Sequence, residues 1–311
     1  MKKIILLLLL LFNLYSVALT VDRPVKIISF APVGSGPDNI LRKMAETLSG
    51  KWKQPVIIDN KPGGNGLIAL ETFSNEPRDS MSLYLGDISS VVTAPMLYKT
   101  NIPTTDLYPV LGILRANMFL IVNPKIKTLT DLIAILKEKP TYGSWGVGSS
   151  PHFLGLELAQ QLGTTASHVA YRDYGQWFID VANGELAYSF ATVASSNKMI
   201  KIGKLNYLAV AAPQRDPAFP NVPTIQELTG KKIDYLRPWA AIYSKSYLSR
   251  DVNQQIAKDL TEAFNSIEVQ TSLRAMDYPT GYIESDVLSK FINDETTLYT
   301  KLFKDFEVTG K

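Results

Sequence analysis

Apolar and polar positions alternate between two periods along most of this chain. Short β-branched or aromatic runs read as strands: Pro24–Phe30, Pro55–Asp59, Ser82–Leu85, Phe119–Val122, Tyr142–Gly146, Ser167–Ala170, Ala187–Ala191 and Tyr207–Ala211. Between them lie helical patterns. Ile40, Met44, Leu48 and Trp52 recur every fourth residue, as do Leu154, Leu158 and Leu162 before Gly163. Thr128 and Asp131 form a capping box ahead of Leu132–Lys137. Alternation of this kind predicts an α/β fold with parallel or mixed sheets covered by helices on both faces. The last seventy residues differ, with two long helical patterns near Arg250–Ile267 and Asp286–Phe306. The second carries Leu288, Phe291, Ile292, Leu298, Leu302, Phe303 and Phe306 on one face, as a helix closing over a sheet would.

The N-terminus breaks the pattern. Lys2 and Lys3 precede an apolar run from Ile4 to Leu14, and Ser16-Val17-Ala18 follows. That is the arrangement of a signal peptide cleaved after residue 18. The run is shorter than the ~20 residues a membrane anchor needs. Its removal takes two lysines and lowers the net charge from +3 to +1. With 46% apolar and 20% charged residues, the chain has no field that would recruit nucleic acid. It has no cysteine and two histidines, which excludes disulfides and a lipoprotein anchor and argues against a metal site of the usual N/S type. A length of 311 residues suits two lobes better than one core.

Three strand-to-helix junctions are rich in glycine: Pro32-Val33-Gly34-Ser35-Gly36-Pro37-Asp38, Asn60-Lys61-Pro62-Gly63-Gly64-Asn65-Gly66, and Gly146-Val147-Gly148-Ser149-Ser150-Pro151-His152. In an open α/β sheet, ligands bind beyond the carboxyl ends of the strands. Glycine permits close backbone approach, and the helix start that follows offers free N–H groups to an anion. None of the three has a P-loop lysine, the dinucleotide spacing G-x-G-x-x-G, or the elbow G-x-S-x-G. A carboxylate remains the simplest fit, held by backbone amides and serine hydroxyls.

In order, FAPVGSGPDNILR, PVIIDNKPGGNGLIA, YGSWGVGSSPHFLGLEL, HVAYRDYGQWFIDVANGEL and GKLNYLAVAAPQRDPAFPNVPTIQEL resemble the solute receptors of tripartite tricarboxylate transporters, the TctC or Bug family. The NKPGGNG loop and the stretch Leu205–Leu228 are the most specific pieces. The resemblance implies a two-lobed periplasmic-binding-protein (Venus flytrap, type II-like) fold, each lobe a mixed sheet flanked by helices. Lobe 1 would comprise 19–119 and 241–311, and lobe 2 would comprise 120–240. It also implies a periplasmic receptor without catalysis or cofactor that delivers a small carboxylic acid to integral-membrane transporter subunits. The absence of an obvious exposed apolar stripe in the sequence makes a monomer the expectation. The acid would be a di- or tricarboxylate, an acidic amino acid or an aromatic acid. Carried over, the carboxylate-holding positions are Gly34, Ser35, Gly36 and Asp38, then Gly63, Gly64, Asn65 and Gly66. In the second lobe they are Gly148, Ser149, Ser150 and His152. The chain departs from the family at Val33-Gly34, where a glycine doublet is usual, at the added Gly36-Pro37, and at Asp173 beside Arg172.

Several residues keep two readings. Asp38 could pair with Arg42 four residues on, or meet the ligand. His152 could donate to a carboxylate and titrate near neutral pH, or bond to backbone. His168 reads as structural. Tyr171, Asp173 and Thr192, at strand ends, are further cleft candidates, and Trp145 is either core or a wall for an aromatic acid. A ligand-sensing receptor for a signalling kinase is an alternative to transport. An exported hydrolase using Ser35 or Ser149 with His152 is another, though its orienting third group is absent from the motif.

Overall fold

The computed structural model describes residues 21–310 apart from Arg172, so the signal-peptide reading lies outside the described residues. In chain order the elements are β1 (Val25–Ser29), α1 (Gly36–Trp52), β2 (Val56–Asn60), α2 (Leu67–Ser74), β3 (Ser82–Asp87), α3 (Ala94–Tyr98), β4 (Leu107–Arg115) and β5 (Met118–Val122). There follow α4 (Leu129–Glu138), β6 (Thr141–Ser144), α5 (Ser150–Gln161), β7 (Ser167–Ala170), α6 (Tyr174–Asn183), β8 (Tyr188–Ala191), α7 (Val193–Lys201), β9 (Asn206–Ala211) and α8 (Ile225–Thr229). The chain closes with β10 (Trp239–Lys245), α9 (Arg250–Phe264), α10 (Ile267–Ala275), β11 (Ile283–Glu284) and α11 (Ser285–Asp305).

Two sheets form. One runs β11-β4-β10-β3-β1-β2 and the other β7-β6-β8-β5-β9. Each has a parallel trio, with β1 between β2 and β3, and β6 between β7 and β8. Antiparallel strands extend each trio: β10 and β4 in the first, β5 and β9 in the second. The fold is therefore two-lobed and α/β. The chain passes between sheets at Ala116-Asn117 and again between Ala211 and Trp239.

Successive strand residues face opposite sides of a sheet, so each strand feeds two cores. Ile27 and Leu83 pack with Ile40, Met44 and Leu48 of α1 and with Leu260 and Phe264 of α9. Ile28 and Tyr84 belong to a core on the other face, which continues into the second sheet through Leu120, Tyr142 and Tyr188. Leu288, Tyr299 and Leu302 of α11 complete that shared core. The four-residue repeat in α1 is buried as expected, and each such side chain stabilises by about 1.5–3 kcal/mol. A third core holds Phe119 and Ile121 against Trp177 and Val181 of α6.

Three differences from the sequence reading have physical causes. β4 and β10 carry no alternation that would mark them, since all seven residues of β10 are buried. The helical run beginning at Arg250 breaks at Asn265, because the Ser266 side chain accepts from the Val269 N–H and starts α10 afresh. Tyr142–Gly146 ends as a strand at Ser144, where the Ser144 hydroxyl accepts from the Gly146 N–H and turns the chain.

Candidate ligand-binding site

The three glycine junctions lie at the carboxyl ends of β1, β2 and β6. The first is organised by Asp38, whose side chain is fully buried. Its Oδ2 accepts from the Gly34 N–H (2.8 Å) and Arg42 Nε (2.9 Å), and its Oδ1 from Asn60 Nδ2 (2.8 Å). Burial acts to raise this carboxyl, but the bonds from Arg42, Gly34 and Asn60 prevail and hold it below its ordinary value. Asp38 is thus a strut behind the loop, with no open oxygen for a ligand. The Ser35 N–H donates to the Pro32 carbonyl at 3.1 Å. The amides of Gly34 and Ser35 are therefore consumed within the loop, contrary to the expectation that they point outward. The first-turn amides of Gly36 and Asp38 remain, as at any helix start. The Ser35 hydroxyl is buried without a hydrogen-bond partner. Tyr278 covers Gly36 so closely that a Cβ there would lie 2.5 Å from the phenol oxygen.

The second junction is a run of left-handed residues: Gly63 (φ +118°), Gly64 (+57°), Asn65 (+52°) and Gly66 (+85°). Only glycine and, less readily, asparagine take this conformation without strain. A Cβ on Gly66 would overlap Ser90. Ser90 belongs to a loop that the sequence reading missed, the π-helical turn Ser89–Thr93 after β3. There the Asp87 N–H donates to Ser90 Oγ and the Ser90 N–H to Asp87 Oδ1, both at 2.9 Å. Burial raises the Asp87 carboxyl to about 6, against the bonds from Ser90 and Ser89. The spacing Asp87-x-x-Ser90 at a strand end was the available signal, without a glycine to draw attention to it.

In the third junction Gly146 (φ +148°) and Gly148 (φ +81°) turn the chain into α5. Ser149, Ser150 and His152 are buried behind that turn. Ser149 Oγ donates to the Gly146 carbonyl at 2.6 Å, and Ser150 Oγ shares a hydrogen bond with Tyr299 Oη of α11 at 2.8 Å. His152 Nδ1 accepts from the Gly148 N–H at 3.2 Å. Burial, with a smaller contribution from His168, lowers His152 to about 3. It is a neutral, backbone-bonded histidine and does not titrate near neutral pH. Ser149 and His152 are thus each bonded to backbone and not to one another, unlike a nucleophile and its base. His168 Nε2 lies 2.6 Å from Ser144 Oγ, and burial lowers it to about 4.

The remaining candidates are held by local bonds. Tyr171 Oη donates to Asp180 Oδ2 at 2.6 Å. Asp173 caps α6 by accepting from the Gly175 N–H (2.8 Å), and Thr192 caps α7 by accepting from the Ser195 N–H (3.3 Å). Trp145 packs edge-on against the buried Trp177, with ring centroids 6.1 Å apart.

Two contacts bring the sheets' loops together. A Cβ built on Gly146 would lie 3.7 Å from Asn65 Oδ1, so the second and third junctions face each other. Asn197 Nδ2 of α7 donates to Asp277 Oδ2, after α10, at 2.9 Å. A separate groove of about 550 Å³, lined by Met96, Leu107, Tyr243 and Ile292, contains none of the glycine-junction residues.

The sequence model of the tripartite tricarboxylate transporter family receptor matches residues 40–308. The chain belongs to this family. A UPF0065 protein of Bordetella pertussis is 32% identical over 233 residues, 72% of this receptor and 71% of that protein. Among solved structures, Rpa4515 of R. palustris with adipate superposes with a TM-score of 0.78 at 21% identity, covering 94% of this receptor and 99% of that chain. MatC of Rhodopseudomonas palustris with bound malate superposes at 0.72 and 19%, covering 91% and 99%. The chain is therefore a receptor of the TctC type, with the fold of periplasmic binding proteins such as BugD. Among the described residues, no helix is long and apolar enough to cross a membrane.

Proposed function

We propose that this receptor, acting as a monomer, encloses a small carboxylic acid between its sheets and presents the closed form to integral-membrane transporter subunits. The observation that carries this reading is the apposition of two glycine turns, Gly63–Gly66 and Gly146–Gly148, one from each sheet. Backbone amides of the Gly63–Gly66 turn and of the start of α1 suit an anion that needs no dedicated cation, whereas those of Gly146 and Gly148 are taken by Ser144 Oγ and His152 Nδ1. Relatives bound to adipate and malate support a carboxylate over other anions. In this reading the carboxylate meets Gly36, the Gly63–Gly66 turn and the buried, unpartnered Ser35 hydroxyl. Gly148 and Thr192 close over it from the other side. The lobes of this reading are the expected 19–119 with 241–311, and 120–240, with the boundaries moved to Ala116-Asn117 and Pro238-Trp239 so that β5 and β10 stay whole.

Contacts made by both lobes exist only in the closed form, so binding shifts the population toward it. Calorimetry of the purified receptor against a broad panel of mono-, di- and tricarboxylates tests the proposal. At least one acid should bind in the micromolar range or tighter. Absence of binding across the panel would refute it.

A further inference from the structure

We infer that the Tyr278 hydroxyl is a further ligand-binding group, which donates to the carboxylate held at the start of α1. The inference rests on the carboxylate reading above and adds a contact from a segment outside the glycine junctions. The end of α10 aims this tyrosine. Asp277 takes the left-handed conformation there (φ +56°). The Asp277 N–H donates to the Arg274 carbonyl at 3.2 Å, and the Tyr278 N–H to the Leu273 carbonyl at 2.9 Å. This paired closure is a Schellman motif, which fixes the backbone of the residue after the left-handed one. The Tyr278 ring packs on the core that holds Leu273 and, from α1, Ile40 and Met44. It thereby lies against the first turn of α1. A Cβ on Gly36 would come 2.5 Å from the phenol oxygen and 2.6 Å from Cε2. Glycine at position 36 leaves the room that the tyrosine fills.

Packing explains the ring, and a phenylalanine would pack as well. The hydroxyl needs a separate reason. It makes no hydrogen bond among the described residues, and neither does the buried hydroxyl of Ser35 beside Gly36. Burial pushes the phenol above its ordinary value of 10.0, so at neutral pH it is an uncharged donor. The Gly36 N–H is a first-turn amide, without a partner in its own helix. A carboxylate offers about four acceptor sites on its two oxygens. It can accept at once from the Gly36 N–H, Ser35 Oγ and Tyr278 Oη. Asp277, which sets the backbone of the tyrosine, is itself gripped by Asn197 of α7 at 2.9 Å. The contact to the ligand and the apposition of the two sheets therefore support each other.

Calorimetry with the same panel of mono-, di- and tricarboxylates tests this, with adipate, malate, glutamate and benzoate among them. Tyr278→Phe keeps the ring and removes only the hydroxyl. It should weaken the acid that the parent binds by about ten- to hundredfold, the scale of a hydrogen bond to a charged group. Because the hydroxyl has no partner in the protein, the melting temperature of the free variant should match the parent. If Tyr278→Phe binds like the parent, the inference falls and the carboxylate receptor stands. A loss of affinity matched by a lower melting temperature of the free variant would make the hydroxyl a structural group, which also overturns the inference. If the parent binds no acid of the panel, both readings fall together.

Discussion

Asn197 and Asp277 join the two halves of the molecule. Asn197 is nearly buried in α7, beside the five-stranded sheet, and its amide donates to the Asp277 carboxylate at 2.9 Å. Asp277 holds a left-handed conformation (φ +56°) at the end of α10, beside the six-stranded sheet, and Lys201 approaches the same carboxylate at 3.6 Å. The bond spans two units that must separate when a receptor opens. Asn197→Ala should therefore weaken ligand binding about three- to tenfold, the size of one hydrogen bond to a charged group less solvent compensation. Asp277→Asn keeps both the acceptor and the tolerance for positive φ, and should change affinity less than about twofold. Calorimetry reads the affinity, and small-angle scattering the opening. Unchanged binding in Asn197→Ala would remove the latch from the closure.

Asp38 should matter through the fold of the first loop. Asp38→Ala leaves the Gly34 N–H, Arg42 and Asn60 without their shared acceptor, and should cost about 2–3 kcal/mol in urea unfolding. The folded pKa lies below the ordinary 3.8. Its contribution is thus complete above that value and lost as pH falls through the folded pKa. Asp38→Asn should show a flatter acid limb than the parent.

The histidine pair gives a second pH signature. His152 at about 3 and His168 at about 4 lie below the 6.5 of an unfolded histidine, and their rings are 4.3 Å apart. Below pH 6.5 the unfolded chain takes up protons that the folded chain refuses, so stability falls as pH falls from 6.5 toward 4. His168→Gln removes one of these sites. Between about pH 6 and 5 the variant should lose less stability than the parent, by up to about 1.4 kcal/mol per pH unit. Identical slopes would contradict the assignment.

Gly66 tests the seat of the second turn. Gly66→Ala meets both a positive φ and the side chain of Ser90, whereas Gly203→Ala meets a positive φ (+70°) in open space. Gly203→Ala should cost about 1 kcal/mol, and Gly66→Ala at least twice that together with loss of ligand binding. Equal costs would show that Ser90 does not brace the turn.

Much of this arrangement is visible in short stretches of sequence. The glycine junctions announce themselves because turn-forming residues interrupt two different periodicities, and those preferences act over a few residues. The capping box at Thr128 and Asp131 and the buried face of α1 are local in the same sense. β4 and β10 are harder to see, since strands buried on both faces lose the alternation that marks a half-exposed strand. The turn at Ser89–Thr93 escapes notice because its role depends on a neighbour well back in the chain, Gly66.

Local chemistry placed the loops, but tertiary packing chose which of their atoms remain available. Asp38 and His152 sit in loops that look ready for a ligand, yet Gly34, Asn60 and Gly148 occupy their polar atoms. Ser150 looks equally available and is bonded to Tyr299, 149 residues along the chain. Asn197 and Asp277 carry no motif at all, and they meet only because two separately built sheets come face to face. Backbone preference is a property of a few neighbouring residues, whereas a hydrogen bond between distant segments exists only once the whole chain has folded.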